Sequence, residues 1–228
     1  MENSTIWYLE NIDVSQIFCP QKMEADSSPM NHKSFKKNDY VYVPDQASDT
    51  LYFISNGRVK IGSFNEEGKE IIKAVLSKGE VFGEHALMGE KSRRDFAVAV
   101  EETTLCSVRA SNINELIKDH SHLSMFFMKL MGSKVLEMEN RLESLVFKDS
   151  RSRIIEYLVD TLNKRGQRVG YEWVLRGFLT HQDIANLTAT SRQTVTTILN
   201  ELRNKEILTF NRKRLLVRDL DALKSEIN

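Results

Sequence analysis

The amino-acid sequence predicts an α+β protein built from an antiparallel β-barrel, one long helix and a helix-turn-helix module flanked by a β-hairpin. Three observations predict this order of parts. Short apolar clusters separated by turn residues occupy the first half of the chain, a proline-free stretch with helical apolar spacing follows, and two short segments with helix-start signals lie in the last third. We place the three parts at residues 1–120, 121–147 and 148–228.

The composition is that of an ordinary globular chain. Of 228 residues, 41% are apolar and 28% are charged, and no apolar run approaches the roughly 18 residues that a membrane span needs. Residues 1–11 contain acidic side chains and no continuous apolar core, so we expect no signal peptide, no membrane partner and a cytoplasmic protein. The two cysteines, Cys19 and Cys106, suggest neither a disulfide framework nor a metal or iron-sulfur site, and we expect no cofactor.

The first part of the chain has the pattern of short strands. Seven apolar clusters lie between Ser34 and Val108, without helical segments between them. Asn56-Gly57 is the strongest hairpin signal among the turn residues that separate them. Many short strands at close intervals favour an antiparallel barrel, or double-sheet jelly roll, over an alternating α/β fold. The clusters are Tyr40–Val43, Leu51–Ile54, Val59–Ile61, Ile71–Leu76, Val81–Phe82, Phe96–Val100 and Leu105–Val108.

A long helix is predicted from His122 to Phe147, where there is no proline and only one isolated glycine. Six apolar residues along it step by four, four, three, four and three positions, which is the spacing of a helix that packs against another helix. The alternative is that this stripe covers the protein's own barrel. We favour a homodimer interface because the predicted helix is roughly 40 Å long, which exceeds a small barrel. The predicted interface residues are Phe127, Met131, Val135, Met138, Leu142 and Leu145.

Two short helices in the last third are joined by a tight turn. Thr180 precedes Asp183 by three positions and marks one helix start, and Ser191 can cap a second helix. Four apolar residues fall at i, i+3, i+4 and i+7 from Val195, so this side of the second helix faces inward and polar residues near its start face outward. The arrangement is typical of a helix-turn-helix, in which such side chains meet base edges in the DNA major groove. The polar residues concerned are Thr180, Ser191, Arg192, Gln193, Thr194, Thr196 and Thr197.

The chemistry of these side chains suits double-stranded DNA as the partner. Arg192 can donate two hydrogen bonds to guanine O6 and N7, and Gln193 can pair with adenine N6 and N7. A hairpin is predicted next, with strands at Ile207–Phe210 and Leu215–Val217, and the cations of its turn would lie beside phosphates. Residues 148–228 hold fifteen basic and ten acidic side chains, a surplus of five positive charges in a chain that is neutral overall. The cations of the turn are Arg212, Lys213 and Arg214.

The order of parts resembles the Crp/Fnr family of bacterial transcription regulators. Ser191-Arg192-Gln193-Thr194-Val195 is similar to the family's S-R-E-T-V recognition helix, and Leu145-Val146-Phe147-Lys148-Asp149 is similar to its junction between dimer helix and DNA-binding domain. The resemblance implies a homodimer that binds a two-fold symmetric operator, with RNA polymerase as a further candidate partner. Because Gln193 stands where Glu is common, we expect an operator that differs from that of the cyclic-AMP receptor.

The resemblance also implies a barrel like that of cyclic-nucleotide-binding domains, with a candidate effector site. Gly83-Glu84-His85-Ala86-Leu87, followed by Arg94-Asp95, is similar to the family's phosphate cassette, in which glycine admits the phosphate, glutamate holds the ribose and arginine neutralises the phosphate. Asp95 stands where members that bind cyclic AMP supply a hydroxyl, and an ionised carboxylate there would repel the phosphate. We therefore expect the cassette fold without tight cyclic-AMP binding. Two alternatives stay open: an unidentified small effector, or a simple ion pair between Glu84 and Arg94.

Two other classes of function compete with a regulator that binds DNA. A cyclic-nucleotide-binding-like sensor module acting on a protein partner would leave the outward Arg192 face and the cations of the predicted turn unexplained. A cupin-like enzyme is disfavoured because the five histidines of the sequence do not form a His-rich metal signature, and the sequence contains no motif of a serine hydrolase, a nucleotide hydrolase or a zinc protease. The sequence therefore predicts a sequence-specific DNA-binding regulator and not an enzyme.

Overall fold

The computed structural model of the protein describes residues 30–119 and 121–227. The chain divides into two compact units, Met1–Ser133 and Lys134–Asn228. This division falls inside the helix Ser121–Phe147, whereas the sequence predicts domain boundaries at both ends of that helix. Cys19 lies outside the described residues.

The described part of the first unit contains eight strands: β1 (Met30–Phe35), β2 (Tyr40–Tyr42), β3 (Thr50–Asn56), β4 (Arg58–Phe64), β5 (Glu70–Ser77), β6 (Val81–Phe82), β7 (Phe96–Ala99) and β8 (Thr103–Arg109). They form two four-stranded sheets with the orders β1-β8-β3-β6 and β2-β7-β4-β5. All neighbouring strands run antiparallel. The predicted double-sheet jelly roll is therefore confirmed.

Apolar side chains from both sheets fill the space between them. The turn between β3 and β4 requires Gly57, which has a φ of +85°, and a Cβ at this position would lie 2.5 Å from the carbonyl oxygen of Glu102. The Asn-Gly signal in the sequence thus corresponds to a real constraint on the backbone. The buried residues of this core are Tyr42, Ile54, Val59, Ile61, Phe82, Ala97 and Leu105.

A second core lies on the other face of the sheet that contains β3. Leu51 and Phe53 belong to this core whereas Ile54 belongs to the first, because successive strand side chains point to opposite faces. Helix α1 (Ala110–Asp119) and the first part of helix α2 (Ser121–Phe147) cover this face. The helical residues buried there are Ala110, Ile113, Leu123, Phe126, Phe127 and Leu130.

The second unit contains the end of α2 and a helical module with its own sheet. Its other described elements are α3 (Ser150–Arg165), β9 (Gln167–Val169), β10 (Glu172–Arg176), α4 (His181–Thr188), α5 (Arg192–Asn204), β11 (Leu208–Phe210), β12 (Arg214–Val217) and α6 (Leu220–Ser225). The strands form one antiparallel sheet in the order β11-β12-β10-β9. Helices α4 and α5 with the β11–β12 hairpin form the predicted winged helix-turn-helix.

The sequence of helix α3 explains where this helix begins and which side of it is buried. Asp149 caps it, since its carboxylate accepts a hydrogen bond from the backbone N–H of Ser152 at 2.7 Å. Ile154, Ile155 and Leu158 recur at helical spacing and are fully buried, so one side of α3 forms part of the core of the unit. None of the helices in the described part of the chain combines the length and the apolarity that crossing a membrane requires.

Candidate nucleic-acid interface and barrel site

Two side-chain caps fix where the helices of the helix-turn-helix begin. The Thr180 hydroxyl accepts a hydrogen bond from the backbone N–H of Asp183 at 3.1 Å and donates to the Asp183 carboxylate at 2.6 Å. The Ser191 hydroxyl accepts from the backbone N–H of Thr194 at 3.0 Å. The helix-start signals in the sequence therefore correspond to real caps, and the hydroxyls of Thr180 and Ser191 bind their own helix ends.

Helix α5 has one buried side and one solvent-exposed side. Val195, Leu199 and Leu202 are fully buried in the second unit. Arg192, Gln193 and Thr197 are exposed, and they lie within the first two turns of the helix. We call these three exposed residues the reading face. The described part of the second unit does not cover them, so they are available to a partner.

Thr196 lies at the edge of this face and contacts protein. Its hydroxyl lies 2.9 Å from the Arg192 carbonyl oxygen, to which it donates, and 2.8 Å from Nδ1 of His181. Because a hydroxyl has one proton, the imidazole supplies the proton in the contact between His181 and Thr196. Thr196, predicted as a DNA contact, is thus placed where it connects the first turn of α5 to the start of α4.

His181 is a functional candidate that the sequence does not predict. Its ring packs against Phe210 of the β11–β12 hairpin, with the ring centroids 5.5 Å apart. Burial, with the nearby Arg192 cation, lowers the pKa of His181 and favours the neutral imidazole. The His181 side chain thereby joins helix α4, helix α5 and the β11–β12 hairpin. A single histidine after a capping residue gives no sequence signal for that role.

The β11–β12 hairpin presents the three predicted cations. The Asn211 side-chain oxygen accepts hydrogen bonds from the backbone N–H groups of Lys213 and Arg214, at 2.8 Å and 3.0 Å, and this closes the turn. Arg212, Lys213 and Arg214 are exposed, and no ion pair joins them to a carboxylate within residues 30–119 and 121–227. Their charge is therefore available for phosphates.

The candidate effector cassette occupies the turn after β6. Gly83 is buried at a φ of +82°, and a Cβ there would lie 2.9 Å from the Thr50 carbonyl oxygen, so the position requires glycine. A short 3₁₀ helix, Glu84–Met88, follows it. Ala86 is buried in the second core, and Glu84 and His85 are half-buried.

Arg94 does not occupy the position that the resemblance implies. Its side chain is 71% exposed and pairs with Glu90 at 2.7 Å, so the alternative ion pair between Glu84 and Arg94 is wrong. The inward arginine is Arg93, which is only 3% exposed. The residues just before β7 do not form a regular strand, so counting along a motif does not determine which side a given residue takes.

Arg93 is held by two backbone carbonyl groups and an aromatic ring. Its guanidinium donates to the carbonyl oxygens of Gly83 at 3.1 Å and Thr50 at 2.5 Å, and it lies over the Tyr42 ring at 4.4 Å from the centroid. Its Nε is buried and has no hydrogen-bond partner in the part of the chain that the structure describes. Two of the three guanidinium nitrogens of Arg93 are therefore already bound to backbone carbonyl oxygens.

Asp95 faces the same interior and is 4% exposed. Lys73 lies 3.5 Å from its carboxylate. Burial, reinforced by the Asp95 charge, raises the pKa of Tyr42 well above its ordinary value, so Tyr42 keeps its proton. The predicted obstacle to a phosphate, a buried carboxylate, is therefore present beside Arg93.

The residues of the predicted dimer stripe differ in burial along α2. Phe127 is 7% exposed and belongs to the second core of the first unit. This residue therefore covers the protein's own barrel, as the alternative interpretation predicts, and we remove it from the predicted dimer interface. Met131 is half-buried. The four remaining residues are exposed in the single chain: Val135, Met138, Leu142 and Leu145.

Comparisons with known proteins match both parts of the chain. Residues 32–120 match the sequence profile of the "Cyclic nucleotide-binding domain", and residues 152–226 match that of the "Crp-like helix-turn-helix domain". The chain is 29% identical over 199 residues to a "Global nitrogen regulator" of Nostoc sp. strain PCC 7120, covering 86% of this chain and 89% of that protein. It is 24% identical over 204 residues to a "CRP-like cAMP-activated global transcriptional regulator" of Mycobacterium tuberculosis strain H37Rv, covering 90% of this chain and 91% of the relative.

A solved structure extends the comparison to the fold. A CRP/FNR-family transcriptional regulator from Thermus thermophilus superposes with a TM-score of 0.69 at 25% identity, covering 86% of this chain and 97% of the other. The two matched domains, in this order, are those of regulators and not of enzymes. We conclude that the chain belongs to the Crp/Fnr family and is a DNA-binding transcription regulator.

Proposed function

We propose that the protein binds a two-fold symmetric operator as a homodimer and that the reading face selects the sequence. The observation that carries this proposal is the exposure of Arg192, Gln193 and Thr197 on a helix whose opposite side is fully buried. Polar side chains at the start of a recognition helix lie where base edges are met in the major groove. Arg192 contacts guanine, Gln193 contacts adenine, and Thr197 contacts a base or a phosphate.

The surroundings of the reading face supply backbone contacts. The wing cations Arg212, Lys213 and Arg214 bind phosphates and increase affinity without specifying sequence. The start of α5 presents backbone N–H groups and the positive end of its dipole, which also favours a phosphate. Ser191 and Thr194 lie at this helix start and hold it in shape through their mutual hydrogen bond.

A homodimer is supported by the exposed apolar residues of α2. Val135, Met138, Leu142 and Leu145 lie at helix-pairing spacing on a surface that the described part of the chain leaves exposed. A two-fold axis along this stripe pairs each residue with its copy, as an isologous interface requires. Two recognition helices then reach half-sites about 34–36 Å apart along one side of the duplex.

The barrel takes a small effector whose chemistry differs from that of cyclic AMP. The Mycobacterium tuberculosis relative is named as cAMP-activated, but here a phosphate would meet the buried carboxylate of Asp95. Arg93 is inward, but its terminal nitrogens are bound to the carbonyl oxygens of Gly83 and Thr50. RNA polymerase remains the predicted further partner, and the protein acts in the cytoplasm.

Selection from a random duplex pool tests the operator proposal. We expect the purified full-length protein to enrich a motif of two inverted half-sites, and light scattering to give the mass of two chains. The affinity for the enriched duplex falls steeply as salt rises, because bound cations release counterions from the phosphates. Enrichment of a single asymmetric site, or of no sequence at all, contradicts the proposal.

A further inference from the structure

Helix α4 ends in a turn whose carbonyl groups cannot be satisfied by the helix itself. The last carbonyls of any α-helix lack intrahelical partners. After α4, Ala189 adopts a left-handed conformation with φ and ψ both at 50°, and α5 begins at Arg192. The orphan carbonyls of Leu187, Thr188 and Ala189 therefore lie shortly before the reading face in the chain.

Two arginines from other helices bind these three carbonyl groups. Arg141 of α2 donates to the Leu187 oxygen at 3.0 Å. Arg153 of α3 donates through Nε to the Thr188 oxygen at 2.9 Å and through Nη2 to the Ala189 oxygen at 3.3 Å. We call Arg141 and Arg153 the carbonyl clamp.

The clamp also connects the turn to the end of α2. Arg153 donates through Nη1 to the carbonyl oxygen of Lys148, at 2.7 Å, in the link between α2 and α3. Arg141 lies on α2 itself, in the last two turns before its end at Phe147. Each guanidinium is rigid and planar, so these bonds fix direction as well as distance.

The backbone of the turn makes this support necessary. An alanine with positive φ is strained by contact between its Cβ and the carbonyl oxygen, and glycine is the residue that usually occupies such a helix end. Cations at the negative end of a helix dipole offset part of that strain. The turn thus holds its shape through contacts with α2 and α3 in addition to its own hydrogen bonds.

We propose that Arg141 and Arg153 are positioning residues that set the direction of the reading face relative to the dimer-forming end of α2. A dimer contacts two half-sites at once only if both recognition helices keep the same angle to the two-fold axis. One helix on one half-site has no such requirement. The clamp therefore contributes to binding of the complete operator while contacting no base, and this rests on the two-fold operator proposed above.

The test compares Arg141→Met with the unmodified protein on two duplexes, the selected operator and a duplex in which one half-site is scrambled. We expect the affinity for the complete operator to fall by about tenfold or more, as for loss of one hydrogen bond from a charged group. The affinity for the single half-site changes by less than about twofold, because the reading face is intact. Equal losses on both duplexes would mean a merely structural role and would overturn the proposal.

Two further variants keep the test decisive. Arg141→Lys retains a cation that can donate to one carbonyl, so we expect it to recover most of the affinity, and it serves where the Met variant folds poorly. Lys164→Met is the matched control, because Lys164 joins α3 to Glu137 of α2 at 3.4 Å and does not contact the turn. We expect the control to bind both duplexes as the unmodified protein does, and a loss equal to that of Arg141→Met would overturn the proposal.

Hydrogen exchange without DNA separates failure of the clamp from failure of the operator. We expect faster exchange of the backbone N–H groups of residues 189–191 in Arg141→Met, while exchange in the α3 core is unchanged. Unchanged exchange in this turn overturns the clamp even if the operator proposal holds. If the unmodified protein does not distinguish one half-site from two, the operator proposal fails and exchange alone decides the clamp.

The salt dependence of binding excludes a direct phosphate contact. If Arg141 points only at protein, the slope of log affinity against log salt is the same for Arg141→Met and the unmodified protein. A slope that is smaller by about one unit would show a lost phosphate contact and would overturn the positioning role.

Discussion

Arg192→Ala is expected to weaken binding to the operator far more than binding to unrelated duplex DNA. The Arg192 side chain is exposed and forms no ion pair within the described residues, so its removal costs the free protein little stability. A bidentate contact to guanine contributes about 1–3 kcal/mol, and a two-fold operator contains the contact twice, which gives about 2–6 kcal/mol in total. The dissociation constant for the operator therefore rises by roughly 30-fold or more.

Fluorescence anisotropy with the labelled operator and with a scrambled duplex measures both losses under identical salt. Arg218→Ala is the matched control, because Arg218 is an exposed cation of the same unit that pairs with Glu206 at 3.2 Å and lies outside the reading face. We expect the control to change binding to both duplexes equally and only slightly. A loss for Arg192→Ala that is equal on the two duplexes would refute the contact with bases.

Three further predictions concern the dimer, the effector and pH. Met138→Glu places a charge on an exposed stripe residue, so we expect light scattering to show a monomer and circular dichroism to show an unchanged fold, and an unaltered dimer would contradict the interface. Calorimetric titration with cyclic AMP is expected to show no dissociation constant in the low micromolar range or below, and Asp95→Ser is expected to tighten binding because it removes the buried carboxylate. The lowered pKa of His181 means that the unfolded state takes up its proton first as pH falls, so the free energy of unfolding decreases below about pH 6.5. Denaturant unfolding across this range is expected to show a shallower decrease for His181→Asn, and parallel curves would contradict the assignment.

The parts that the sequence predicts well are those with local causes. Thr180 and Ser191 each cap a helix through a backbone group three residues away, so a short stretch of sequence contains the whole interaction. The burial of Val195 and Leu199 follows from spacing along one helix. The Asn56-Gly57 turn depends on the conformational freedom of one residue. These signals need no knowledge of the rest of the fold.

The errors arise where a choice of side depends on another part of the chain. The residues between Gly89 and Phe96 do not form a regular strand, so strand alternation could not show that Arg93 faces inward and Arg94 outward. The apolar stripe of α2 has one spacing throughout, but its beginning packs on the barrel and its end is exposed. Phe127 and Met138 differ in burial for that reason, and no count along the helix distinguishes them.

The carbonyl clamp belongs to a third class that a sequence pattern cannot reveal. Arg141 and Leu187 are 46 residues apart, and Arg153 is 35 residues from Thr188. The acceptors are backbone carbonyl groups, which every residue has, so the partner positions carry no characteristic residue type. An arginine on an amphipathic helix is most often solvated, and its function emerges only when the fold brings an unsatisfied helix end beside it. Contacts of this kind are therefore where the structure adds most to the interpretation of a family whose reading face is already evident in its sequence.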